Sequence, residues 1–176
     1  MKLDLSELIK SAGAVIPFHL EEEIEVEGVE LLSPVIADCK FSNTHRAIVI
    51  ECEFDTSYMA ECVRCLKHFP YHLHFAFQEA YTRQDLMLDS KGNLLTEDED
   101  IRSVFEGYVL DLSELLRQNI IIALPVAPLC SPDCKGLCPK CGKDLNEGEC
   151  DCEKKKIDPR WQKLSEYKSK GGMKVG

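Results

Sequence analysis

Residues 130–152 read CSPDCKGLCPKCGKDLNEGECDC and hold six of the chain's ten cysteines, interleaved with Pro132, Gly136, Pro139, Gly142 and Gly148. So few apolar side chains accompany them that the segment cannot bury a core of its own, so disulfides or metal must hold it together. Cys138-Pro-Lys-Cys141-Gly142 has the form of a metal knuckle. A two-residue spacer lets both thiolates reach one tetrahedral ion, and the glycine permits the tight turn that aims backbone amides at sulfur. Cys150-Asp-Cys152 lies close enough to supply two further ligands, and Cys130 and Cys134 stand four apart just upstream. Far earlier, Cys62-Val-Arg-Cys65 falls between two apolar alternating stretches, as a β-hairpin knuckle would.

The choice between disulfides and metal turns on compartment. The N-terminal MKLDLSELIKSAGAV carries acids and leads into no signal-peptide run. The longest apolar run, Ile120 to Leu124, is far too short to span a membrane. These features predict a cytoplasmic protein, where thiols stay reduced and clustered cysteines mark metal. Ligand counting then gives a simple scheme of two structural zinc sites: Cys62, Cys65, Cys130 and Cys134 form one, and Cys138, Cys141, Cys150 and Cys152 the other. A rival scheme joins Cys62 and Cys65 to Cys138 and Cys141, and a third fills only one site. Cys39 and Cys52 have no partner at ligand spacing and read as small buried hydrophobes. The five histidines, at 19, 45, 68, 72 and 74, read as solvated strand residues.

Four-thiolate sites are closed and structural, whereas a catalytic zinc keeps a position for water. No nucleophile with its base, phosphate-cradling loop or paired acid and base stands out, so the chain reads as non-enzymatic with no small-molecule substrate. A redox role would need a CxxC at a helix N-terminus. Neither CxxC is placed that way by the pattern.

Outward from the cysteines, the period changes. Phe18 to Thr82 alternates apolar and polar residues in four stretches, which predicts an antiparallel meander with turns near Glu27-Gly28, Ser42 to Thr44 and Cys62 to Cys65. Asp4-Leu-Ser-Glu7 resembles a capping box opening a short helix that ends near Gly13. The same wording recurs at Asp111-Leu-Ser-Glu114, opening a helix through about Ala123 whose apolar face covers the sheet; a shared cap explains the likeness better than duplication. Residues 84–100 read as an acidic loop and Ser103 to Leu110 as a further strand. Asp158-Pro159 opens a terminal helix with Trp161, Leu164 and Tyr167 on one side. The predicted fold is α+β: an antiparallel sheet, as a meander or partly open barrel, covered by a helix. It divides into a body over 1–129, a zinc module over 130–152 and a basic helix and tail over 153–176.

The formal charge is −10, yet residues 153–176 carry eight Lys/Arg against three acids, a net of +5 that leaves −15 on the remainder. An acidic body with a basic tail argues against a generally basic nucleic-acid surface and marks Lys154, Lys155, Lys156, Arg160 and Lys163 as candidate contacts to RNA or a protein partner.

Taken together, CVRCL at 62–66, LPVAPLC at 124–130, CKGLCPKCGKDLN at 134–146, CDC at 150–152 and DPRW at 158–161 resemble the YceD family, the large ribosomal RNA subunit accumulation proteins. The resemblance runs in order over nearly the whole chain. It implies a bacterial cytoplasmic factor, with plastid relatives, needed for 23S ribosomal RNA to accumulate during large-subunit assembly. Its expected partners are ribosomal RNA or a large-subunit ribosomal protein. A zinc donor or thiol redox protein serving another factor is the alternative reading.

Overall fold

A computed structural model describes residues 1–82, 85–91 and 93–152. Four strands, β2 (Val15–Glu22), β3 (Val35–Asn43), β4 (Ala47–Glu61) and β5 (His68–Thr82), form an open antiparallel sheet in the order β2-β3-β4-β5. This is the expected meander, and it does not close into a barrel. A smaller sheet of order β1-β7-β6 joins β1 (Lys2–Asp4), β6 (Phe105–Glu106) and β7 (Val109–Asp111). Three helices complete the described residues: α1 (Ser6–Lys10), α2 (Glu99–Val104) and α3 (Leu112–Ala123).

Strict alternation explains the main sheet. Along β4, Ile48, Ile50, Cys52, Phe54, Thr56, Tyr58 and Ala60 are all buried, while Glu53 and Glu61 are exposed. The inner face packs against Leu5 and Leu8 of the N-terminal segment and against Leu112, Leu115, Leu116 and Ile120 of α3. Each such side chain, removed from water, contributes about 1.5–3 kcal/mol before entropy is counted. Asn119 is the one buried polar residue of α3, and its Nδ2 donates to Glu79 Oε1 at 2.8 Å and to Leu115 O at 3.1 Å.

The lengths of the strands place the cysteines. β4 and β5 pair over all fifteen of their residues, but β3 meets β4 only from Ile48 to Asp55. The rest of the hairpin runs on past β3 as a ribbon, flanked near its base by a Leu31–Tyr58 bridge, and carries Cys62 and Cys65 at its tip.

Several local expectations are corrected. Asp4 Oδ1 accepts from the Ser6 amide, two residues on, and Glu7 pairs with Lys10, so no capping box forms. Asp111 does cap α3, accepting from the Glu114 amide at 3.3 Å. The repeated wording has a geometric counterpart. Leu3 pairs with Leu110 across β1 and β7, while Leu5 N donates to Tyr108 O and Leu112 N to Met1 O, so the two copies meet about a local two-fold. The stretch 103–110 is not one strand. Asp98 accepts from the Asp100 and Ile101 amides and starts α2 inside the predicted loop, which leaves only β6, a turn and β7.

Cys39 and Cys52 are buried as expected, but they are not unpartnered: they form a disulfide. The register sets them directly opposite on the inner face of β3 and β4. That adjacency cannot be read from a spacing of 13 residues alone. The predicted terminal helix with Trp161, Leu164 and Tyr167 lies outside the described residues. Among those described, no helix is long and apolar enough to cross a membrane.

Candidate metal centre

The hairpin tip and the segment 138–143 are folded alike. In the first, Cys62 N donates to Lys67 O at 3.0 Å and Leu66 N to Cys62 O at 2.8 Å; in the second, Cys138 N donates to Lys143 O at 2.8 Å and Gly142 N to Cys138 O at 2.9 Å. Each turn needs a residue of positive φ just after its second cysteine. Gly142 supplies it at 72°, and Leu66 is held there at 59° without the freedom of glycine. Both CxxC pairs are therefore knuckles, with thiols and amides turned to the same side.

A second layer of contacts seats the C-terminal segment on the first knuckle. Val63 N donates to Pro128 O, Leu137 N to Arg64 O and Arg64 Nη1 to Cys134 O at 2.8 Å. Gly136 lies so close that a Cβ there would stand 2.9 Å from Arg64 O. Cys130 and Cys134 are thereby carried back over Cys62 and Cys65, with Phe69, Leu129 and Leu137 packed around them.

The eight cysteines outside the disulfide fall into two tetrads. Cys62, Cys65, Cys130 and Cys134 make one, and Cys138, Cys141, Cys150 and Cys152 the other; within each, the four sulfurs lie within 4.8 Å of one another. The allocation is that of the simple scheme. The rival joining of Cys62 and Cys65 to Cys138 and Cys141 is not what the chain builds. In the first tetrad Cys62 Sγ stands 3.8 Å from Cys134 Sγ, and Cys65 Sγ 3.6 Å from Cys130 Sγ. Those separations are too long for disulfides. They match the tetrahedral edge of about 3.8 Å that metal–sulfur bonds of about 2.3 Å imply. The donor set therefore fits a metal ion. No histidine joins either set; His19, His68, His72 and His74 pair instead with acids across the exposed sheet face.

Backbone amides prepare one thiolate in each tetrad. The Cys130 amide, with those of Cys65 and Arg64, lowers Cys62 to about 6 against the opposing effect of burial. The Cys141 and Lys140 amides do the same for Cys138, also to about 6. Their partners keep protons: hydrogen bonding to Cys65 and burial push Cys130 up to about 12, and hydrogen bonding to Cys141 and burial push Cys152 up to about 12. Each tetrad thus pairs one thiol readied to ionise with one that is held protonated, and a cation bound there would displace protons. The tetrads differ in exposure. Cys62, Cys65 and Cys134 are buried, whereas Cys141 is exposed and Cys150 and Cys152 are only partly covered.

A model of the family described as Large ribosomal RNA subunit accumulation protein YceD matches residues 50–168, from early in β4 through both tetrads. The chain belongs to the YceD family. An uncharacterized protein of Mycobacterium tuberculosis is 26% identical over 172 residues, covering 94% of this chain and 80% of its own length. An uncharacterized protein of Mycobacterium leprae is 27% identical over 169 residues, 93% of this chain and 75% of that one. The Arabidopsis thaliana protein named Large ribosomal RNA subunit accumulation protein YCED homolog 1, chloroplastic, is 30% identical over 67 residues, 38% of this chain and 21% of its own. No solved structure matches the chain. The residues 154, 155, 156, 160 and 163 marked for RNA or partner contact lie outside the described residues of this YceD-family chain. Asn146 and Arg64, which support the first tetrad, escaped the sequence reading because both stand at positions beside the cysteines that ligand spacing leaves unspecified.

Proposed function

We propose that this YceD-family chain is a non-enzymatic, cytoplasmic ribosome-biogenesis factor that supports 23S ribosomal RNA accumulation and large-subunit assembly. The observation that carries the reading is family membership across residues 50–168. Two all-cysteine tetrads support a structural metal, and zinc is the ion that a four-thiolate tetrahedral set favours. In this reading Cys62, Cys65, Cys130, Cys134, Cys138, Cys141, Cys150 and Cys152 are the ligands. The body over 1–129 carries the module 130–152, and the module presents the basic tail 153–176 to ribosomal RNA or a large-subunit ribosomal protein.

The test is a pulldown of the intact protein from cell extract, with and without nuclease. Ribosomal RNA and large-subunit proteins are expected in the eluate, and their absence from both arms refutes the reading. Binding to 23S fragments across a salt series, with and without residues 153–176, tests the tail; an unchanged salt slope removes it as the phosphate contact.

The exposure of Cys141 favours a second reading, a zinc donor or thiol redox protein. Native mass measurement with thiol titration separates the two: two firmly held zinc ions and no reactive thiol support the structural role, and an exchangeable ion supports the second.

A further inference from the structure

Asn146 sits in the loop between Cys141 and Cys150, within the second tetrad's own segment, yet its side chain faces the first tetrad. Nδ2 donates to Cys134 Sγ at 3.4 Å and to Asp144 Oδ1 at 2.7 Å, while Oδ1 accepts from the Lys135 amide at 2.8 Å. These partners permit one orientation of the amide. The oxygen meets an N–H and the nitrogen meets a carboxylate, so it is the donor end that faces sulfur. Cys134 is 3% exposed, which leaves little room for water to replace that donor. The loop is tied down nearby: Asn146 N donates to Asp144 Oδ1 at 2.8 Å and Leu145 N to Gly136 O at 2.9 Å.

We propose that Asn146 is a positioning residue through which the second tetrad controls how firmly the first holds its metal. The inference rests on the reading that both tetrads bind metal. Four thiolates around a divalent cation leave a net charge of −2, and an N–H directed at one sulfur draws off part of that charge and fixes its lone-pair direction. Metal in the second tetrad clamps Cys141 to Cys150 and so holds Asn146 against Cys134. Emptying that tetrad removes the clamp at both ends of the loop and leaves Asn146 held by the bonds to Lys135 and Gly136, so the donor to Cys134 is held less firmly.

The test uses the full-length protein loaded with zinc. Excess chelator is added with N-ethylmaleimide, and peptide mass spectrometry follows alkylation at Cys62, Cys65, Cys130 and Cys134 separately from the other four. Asn146→Asp keeps an acceptor for the Lys135 amide and removes the donor to sulfur; Asn146→Leu removes it without adding charge. Both are expected to speed loss of protection at the first tetrad by about tenfold or more while the second keeps its wild-type rate. Cys141→Ser with Cys150→Ser should also speed release at the first tetrad, and adding Asn146→Leu should then have little further effect. With cobalt at full occupancy, both Asn146 variants should shift thiolate-to-metal absorption to longer wavelength, a change that altered packing alone does not produce. Wild-type release and an unshifted band in variants that bind two metals overturn the proposal. Native mass showing no metal in the wild-type chain defeats the metal reading first, and the proposal with it.

Discussion

Gly136→Ala probes the seating of the C-terminal segment on the hairpin tip, and its cost can be built up from two glycines of similar backbone. Gly28 and Gly136 have φ of 76° and 73°. Alanine in that region costs about 1–2 kcal/mol, of which about 0.4–1 kcal/mol is offset by a stiffer unfolded chain. At Gly28 nothing lies within 4 Å of the added Cβ, so a net cost of about 1 kcal/mol is expected. At Gly136 the Cβ meets Arg64 O at 2.9 Å and Arg64 Cβ at 3.2 Å, both fixed by the knuckle. Backbone must move, which adds about 1–3 kcal/mol of overpacking and about 1 kcal/mol for the weakened Leu137 N to Arg64 O bond. The difference between the two variants is thus about 2–4 kcal/mol, or roughly 30- to 1,000-fold in an equilibrium constant. Because Cys134 is carried by the same approach, the loss should appear as weaker zinc retention at the first tetrad in chelator competition, with little change in the sheet's unfolding. Gly28→Ala should leave retention unchanged. Retention in Gly136→Ala within about threefold of Gly28→Ala, well short of the difference worked out above, would refute the reasoning.

Further expectations follow from the same geometry. Leu66→Gly relieves a left-handed leucine that is 55% exposed, and should be neutral or stabilising by up to about 1 kcal/mol in urea unfolding, in contrast to most leucine truncations. Asn43→Ala removes a buried amide that donates to Leu8 O at 2.8 Å and Ile9 O at 3.0 Å at the end of α1, so a loss of about 2–3 kcal/mol in urea unfolding is expected. Glu114 is held below its ordinary value by its hydrogen bonds to Arg117, against partial burial. A lowered carboxylate contributes stability that is present above pH 4.5 and lost as pH falls through its folded value. Glu114→Gln should therefore flatten that part of the acid limb of a stability–pH curve. Removal of metal should open 130–152 to protease while the core of β2–β5 and α3 stays protected from hydrogen exchange, because no cysteine of either tetrad belongs to that core.

The meander, α3 and both knuckles were legible because each is written in near neighbours. Period-2 alternation marks a half-buried strand, Asp111 before an apolar 3.6-residue pattern marks a capped helix, and CxxC marks two thiols turned one way. The small sheet was not legible, since strands of two or three residues such as Phe105–Glu106 have no period to detect. The helix Glu99–Val104 was hidden by the acid that starts it, because Asp98 and its neighbours look like a solvated loop until their amides are seen to be capped.

By itself, the sequence determined that this chain builds an antiparallel sheet under a helix, that eight of its cysteines come in pairs at ligand spacing, and that it resembles the YceD family. Those properties rest on local spacing and composition, which survive in one dimension. Tertiary structure alone decided which pairs meet. The long β4–β5 ribbon carries Cys62 and Cys65 out to the place where Gly136 allows Cys130 and Cys134 to settle. The β3–β4 register brings Cys39 onto Cys52, and the 141–150 loop turns Asn146 toward the other site's sulfur. Each of these is a contact between residues 12 or more positions apart, fixed by register and close approach that no local pattern encodes.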